Sequence, residues 1–100
     1  MAAVTVYVDI DLKEIIPLFL ESRQEDIVKM RRAITECDFD KVARIGHTLK
    51  GVGGGYGFDF ITDIGREIES AAKDENSQVI SKLVKTMEES LANIEIIYEE

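Results

Sequence analysis

The chain has no tryptophan, one proline, one cysteine and one histidine in 100 residues. A single cysteine forms no internal disulfide, so no cross-linked scaffold is available. One proline and no Ser/Gly-rich tract argue against a linker or a disordered tail. No apolar run approaches the roughly 18 residues of a membrane span. The start, MAAVTVYVDID, lacks a basic segment followed by an apolar one, so it is no secretory signal. Positive charge is scarce too: 12 Lys and Arg stand against 20 Asp and Glu, for a net charge of −8. That balance excludes a nucleic-acid binder, which needs a basic face, and disfavours an anionic membrane surface. A cytoplasmic protein is expected.

What is present is enough for one core. Apolar residues make up 45% of the chain, and this length builds one domain. Val4, Val6 and Val8 alternate with Thr5 and Tyr7, a strand period. With no second strand expected, residues 1–10 read as an extended leader and 11–100 as the folded unit.

Helical spacing takes over after the leader. Asp11 with Glu14 resembles a capping box for a short helix over about 11–16, met by Pro17. A second helix, from about 17 to 36, carries Leu20, Ile27, Met30, Ile34 and Cys37 on its seam, with Arg23 on the same stripe. Cys37 is expected to be buried. Asp38 caps a third helix, with seam Val42, Ile45, Leu49, Val52 and Tyr56. Asp59 caps a fourth, with Ile61, Ile64, Ile68 and Ala71. KDENS, residues 73–77, marks a turn. The last helix carries Ile80, Leu83, Met87, Leu91, Ile94 and Tyr98. The fold class is all-α: an antiparallel up-down four-helix bundle with a short extra N-terminal helix.

The unusual stretch is HTLKGVGGGYG, from His47 to Gly57, which holds the one histidine and five of the seven glycines. At about 100° per residue, His47 points roughly 180° from the seam centre, toward solvent. Gly51 and Gly54 lie within about 40° of the same direction, with Gly55 somewhat further round. Arg44 and Lys50 flank the imidazole at i−3 and i+3. Glycine inside a helix costs up to about 1 kcal/mol relative to Ala. Bare glycines on an outer face make sense where something approaches the backbone. Gly53, Gly57 and Gly65 turn toward other helices and suit close packing. A solitary helical histidine is most often an ordinary residue, and glycines alone are a weak signal. No G-x-x-x-x-G-K-[ST] and no strand-borne G-x-G-x-x-G is present. One histidine and no spaced cysteines offer no transition-metal site. Glu67 and Glu69 read as solvated helix charge, with Glu69 near an interface.

His47-Thr48-Leu49-Lys50-Gly51, with Gly57 ten residues after the histidine, resembles the motif of histidine phosphotransfer (HPt) domains. Asp38-Phe39, Gly57-Phe58, Gly65 and Ile68-Glu69 extend the likeness over residues 10–98. Val52 and Gly53 stand where the family often has Ser or Ala. The resemblance implies that His47 exchanges a phosphoryl group with a phospho-aspartate of a receiver domain. It implies that Lys50 steadies the phosphoryl oxygens and that Gly51 gives the partner room. Arg44, Gly54 and Gly55 are docking candidates beside it, Gly57 is structural, and Gln24, Arg31 and Lys41 are further surface candidates. The implied partners are response-regulator receivers and hybrid histidine kinases, with Mg²⁺ on the receiver and no cofactor on this chain. A monomer is expected. The chemistry suits the residues: a neutral imidazole is a nucleophile near pH 7, and phosphoryl transfer asks mainly for positioning and charge neutralisation. Two alternatives stand beside this reading. One is the phosphorylation domain of a chemotaxis-type histidine kinase, served in trans; the other is a non-catalytic helical adaptor.

Overall fold

A computed structural model describes residues 4–100. The order is β1 (Val4–Asp9), a 3-10 turn (Ile10–Leu12), α1 (Ile16–Thr35), α2 (Phe39–Gly53), a 3-10 turn (Gly54–Tyr56), α3 (Asp59–Lys73), α4 (Ser77–Ala92) and β2 (Ile94–Glu99). Among the described residues the chain is thus mostly helical, with four helices. Helices α1 and α3 each pack against both α2 and α4, so the four close a ring around one core. Ile16, Ile27, Met30, Val42, Leu49, Phe58, Ile61, Ile68, Ile80, Val84 and Met87 are buried there. Phe58 and Phe19 were absent from the expected seams, yet their rings meet in a tilted contact with centroids 4.9 Å apart, and Phe19 also meets Tyr56 at 4.6 Å.

The three helix-to-helix connections share one hydrogen-bond pattern. Asp38 N donates to Ala33 O (2.8 Å) and Cys37 N to Ile34 O (3.1 Å). Phe58 N to Gly53 O (2.9 Å) with Gly57 N to Gly54 O (3.2 Å) repeats it. Asn76 N to Ala71 O and Glu75 N to Ala72 O, both 3.0 Å, repeat it again. This is the Schellman ending, which requires a left-handed residue at its centre. Gly57 fills that position with φ 86°, but Cys37 (φ 57°) and Glu75 (φ 52°) fill the other two. In the first and third turns the next residue then caps the following helix. Asp38 Oδ1 accepts from Lys41 N at 3.1 Å, and Asn76 Oδ1 from Val79 N at 3.2 Å.

Several expectations are corrected. Cys37 is exposed, because α1 ends at Thr35 and the turn carries Cys37 off the seam. The short N-terminal helix shrinks to the Ile10–Leu12 turn, capped by Asp9 Oδ1 accepting from Asp11 N at 2.9 Å rather than by an Asp11/Glu14 box. Helix α3 starts after Phe58 without a side-chain cap, and Asp59 lies in its first turn. Ile94 and Tyr98 belong to a strand, not to the last helix. That strand pairs in parallel with β1, Val4 opposite Ile94 and Asp9 opposite Glu99. The leader therefore has a partner, and Val6 and Val8 pack into the core. Residues 1–3 of the expected leader lie outside the described residues.

Candidate functional site

Helix α2 sets the direction of each side chain in the motif. Its inner face buries Val42, Gly46, Leu49 and Gly53, which turns His47 outward. The imidazole is 69% exposed. What fixes its height above α3 is a glycine pair. A Cβ on Gly46 would lie 2.8 Å from Glu69 N and 3.0 Å from Gly65 O. A Cβ on Gly65 would lie 2.6 Å from Lys50 N and 2.8 Å from Gly46 O. The two backbones therefore touch where larger residues would hold them apart.

This close crossing brings Glu69 of α3 beneath the motif. His47 Nδ1 lies 3.1 Å from Glu69 Oε2, and Lys50 Nζ donates to Oε1 at 2.9 Å. Lys73 Nζ, one turn further along α3, is 3.9 Å from Oε2. The Glu69 side chain is only 15% exposed. The hydrogen bond from Lys50 holds its carboxyl below the usual carboxylate range. Partial burial opposes this, while the charges of Lys50 and Lys73 and the contact with His47 act with it. An ionised carboxylate only accepts, so the neutral ring meets it with the proton on Nδ1 and leaves the Nε2 lone pair free.

The remaining motif residues divide in two. Gly51 and Gly55 are exposed, and among the described residues a Cβ on either would meet nothing within 4 Å beyond its own local backbone. A Cβ on Gly54 would make only ordinary contacts, 3.8 Å to Thr62 Oγ1 and 4.0 Å to Asp59 Oδ1. Gly54 and Gly55 sit in the 3-10 turn that prolongs α2. Gly53 instead packs on α3, where a Cβ would lie 2.7 Å from Thr62 N. Gly57 packs on β1, where a Cβ would lie 2.6 Å from Tyr7 O. Arg44 is exposed and lines an open groove with Ala43, His47, Thr48 and Glu69. Of the outlying candidates, Arg31 is engaged elsewhere, in a bidentate pair with Glu88 of α4 at 2.9 and 2.7 Å.

The structure thus gathers His47 and Lys50 and adds Glu69, expected only as helix charge near an interface, and Lys73, expected only as the start of a turn. The 22-residue separation of Glu69 from His47 hides the contact; the facing glycines were its signal. Among the described residues, no group of three His, Cys, Asp or Glu side chains is placed to hold a metal ion. No helix among them is long and apolar enough to cross a membrane.

Compared with known proteins, residues 14–96 match the family model described as the Hpt domain. No curated protein and no solved structure matches the chain.

Proposed function

This chain belongs to the Hpt domain family, the histidine phosphotransfer modules of phosphorelays, and on that premise we propose that it carries phosphoryl groups on His47, exchanging them with aspartates of response-regulator receiver domains. One observation carries the reading: an exposed imidazole whose Nδ1 is held by Glu69, with Lys50 on the second oxygen of the same carboxylate.

The chemistry balances without a further group from this chain. The Nε2 lone pair attacks the phosphorus of the acyl phosphate. The Nε2–P bond forms as the P–O bond to the aspartate breaks, and the aspartate leaves as a carboxylate with the bonding pair. No proton has to move. The ring becomes an N-phosphoryl imidazolium, and its positive charge faces the Glu69 carboxylate through Nδ1–H. Lys50 Nζ pivots from Glu69 toward the phosphoryl oxygens, where a cation neutralises charge. Mg²⁺ belongs to the receiver. Arg44, Gly51, Gly54 and Gly55 form the face over which the receiver settles, and Gly57 keeps the turn below it.

The same reading takes residues 11–100 as the transfer unit, an up-down antiparallel bundle, with the strand at 4–9 as its clamp. It also takes the protein as a cytoplasmic monomer, charged by a hybrid histidine kinase or a receiver.

The test mixes the chain with a phosphorylated receiver and Mg²⁺ and follows labelled phosphate. Transfer predicts an acid-labile, base-stable label on this chain that is absent from His47→Gln. Label arriving only from an ATP-bound kinase domain in trans would make it a kinase's phosphorylation domain. Label from neither source would leave the adaptor reading.

A further inference from the structure

The two-stranded ribbon lies largely outside the segment that matches the family. That match covers 14–96, so all of β1 and the second half of β2 lie outside it. The inner side of the ribbon is explained by the core, since Val6 and Val8 are 4% and 1% exposed. Its outer side is not. Tyr7 and Ile97 are cross-strand partners in register, and they are 56% and 38% exposed. Around this apolar pair stand Thr5 and Asp9 of β1 and Glu95 and Glu99 of β2, all exposed. The period of two places them on the same outer face.

The edges of the ribbon differ as well. The outer flank of β1 meets the α2–α3 turn, where Gly57 presses against Tyr7 O. Among the described residues, β2 makes backbone hydrogen bonds only to β1, so its far edge is open over six residues. Carboxylates alone would guard such an edge against aggregation; an exposed Tyr7/Ile97 pair works against that purpose. A second copy of the chain is a poor occupant. Antiparallel pairing of two β2 edges about Ile97 would set Glu95 against Glu99 twice, and like charges directly opposite are unfavourable.

We propose that the open edge of β2 docks a strand of another protein that carries cation, apolar residue and cation at alternating positions. Main-chain hydrogen bonds would extend the ribbon to three strands, the length at which such sheets gain stability. The cations would face Glu95 and Glu99, and the apolar residue would cover Ile97.

The probe is the capped peptide Thr-Lys-Thr-Val-Thr-Lys-Thr, titrated into the full ¹⁵N-labelled chain, with the Glu-for-Lys peptide as control. The expected result is saturable shifts at the amides of residues 94–99, slower exchange of the edge amides, and binding about tenfold weaker for the Glu peptide as two cross-strand pairs change sign. The E95K/E99K chain should reverse the preference. Equal shifts with both peptides, or none at millimolar concentration, overturn the proposal. A β2-mediated dimer in sedimentation would overturn it in favour of a second copy.

Discussion

Replacing Gly65 with Ala tests the contact that underlies the site. The new Cβ would meet Lys50 N at 2.6 Å, Leu49 Cβ at 2.7 Å and Gly46 O at 2.8 Å. None of these is the far end of a flexible side chain, so no rotamer change relieves them. Reaching an ordinary contact requires α2 and α3 to part by about 0.8 Å, which sacrifices dispersion along the whole crossing. Overpacking of this kind costs about 1–3 kcal/mol, and rigid neighbours put it near the top of that range. Ala recovers up to about 1 kcal/mol of helix propensity. The net loss is about 2 kcal/mol, or roughly 10 °C in Tm for a domain of this size. Gly51→Ala is the matched control. It meets nothing within 4 Å, so it should stabilise the helix by about 0.5–1 kcal/mol. Urea melts followed by far-UV circular dichroism decide the matter. A Gly65→Ala chain as stable as the parent would refute the close crossing, and with it the reason Glu69 reaches His47.

Glu69→Ala should leave the fold intact but slow phosphoryl transfer to His47 by about 10- to 100-fold, the penalty of a poorly oriented nucleophile. Imidazole ¹⁵N shifts should show the Nδ1–H tautomer losing population, which a purely structural role would not produce. Cys37→Gly and Glu75→Gly should each raise stability by about 0.5–1 kcal/mol, because both residues hold a positive φ that costs about 1–2 kcal/mol outside glycine; urea midpoints report it. In acid, Glu69 and Glu88 act together: Lys50 lowers one carboxyl and the hydrogen bond from Arg31 lowers the other from 4.5. Their contribution is complete above pH 4.5 and is lost as pH falls through the folded-state values. Asp26 runs the other way, since burial raises its carboxyl above 3.8 despite Arg23, so its contribution is present in acid and lost as pH rises. Urea midpoints from pH 3 to 7 should fall toward acid less steeply in Glu69→Gln and Glu88→Gln than in the parent.

The four long helices and the outward direction of His47 were legible because both follow from local spacing, whereas the Ile10–Leu12 turn read as a helix over 11–16. The end of the chain was not. Leu91, Ile94 and Tyr98 fit a helical spacing, while Ile94, Ile96 and Tyr98 fit a strand period just as well. The choice falls to β1, some 90 residues earlier, and pairing context of that kind overrides local preference. Cys37 misled for a different reason. Its spacing continues the seam of α1, and only the left-handed turn, built here without glycine, lifts it out. Glu69 needed the α2–α3 distance, which no single-helix projection contains.

Six of the seven glycines divide into two groups with opposite demands, and the exposed group tests whether a partner docks beside His47. Gly46, Gly53 and Gly65 let α2 and α3 touch, and Gly57 lets the turn reach β1. Each has a use inside the chain. Gly51 and Gly55 have none, since among the described residues nothing beyond their own local backbone comes within 4 Å of a Cβ placed there. Glycine costs up to about 1 kcal/mol at the helical Gly51, so a fold selected for its own stability would hold Ala there. On the proposed function, a receiver that must bring its aspartate to Nε2 would give the bare surface a purpose. Stability and transfer should therefore move in opposite directions at Gly51 and Gly55 and in the same direction at Gly46, Gly53 and Gly65. With Gly51→Ala, the chain should melt later while kcat/KM for transfer from a receiver falls. The same substitution should leave phosphorylation of His47 by a small phosphodonor such as acetyl phosphate unchanged. If receiver-dependent transfer survives Ala at both 51 and 55 without loss, nothing docks over that face, and the approach to His47 must run along the groove beside Arg44 and Glu69 instead.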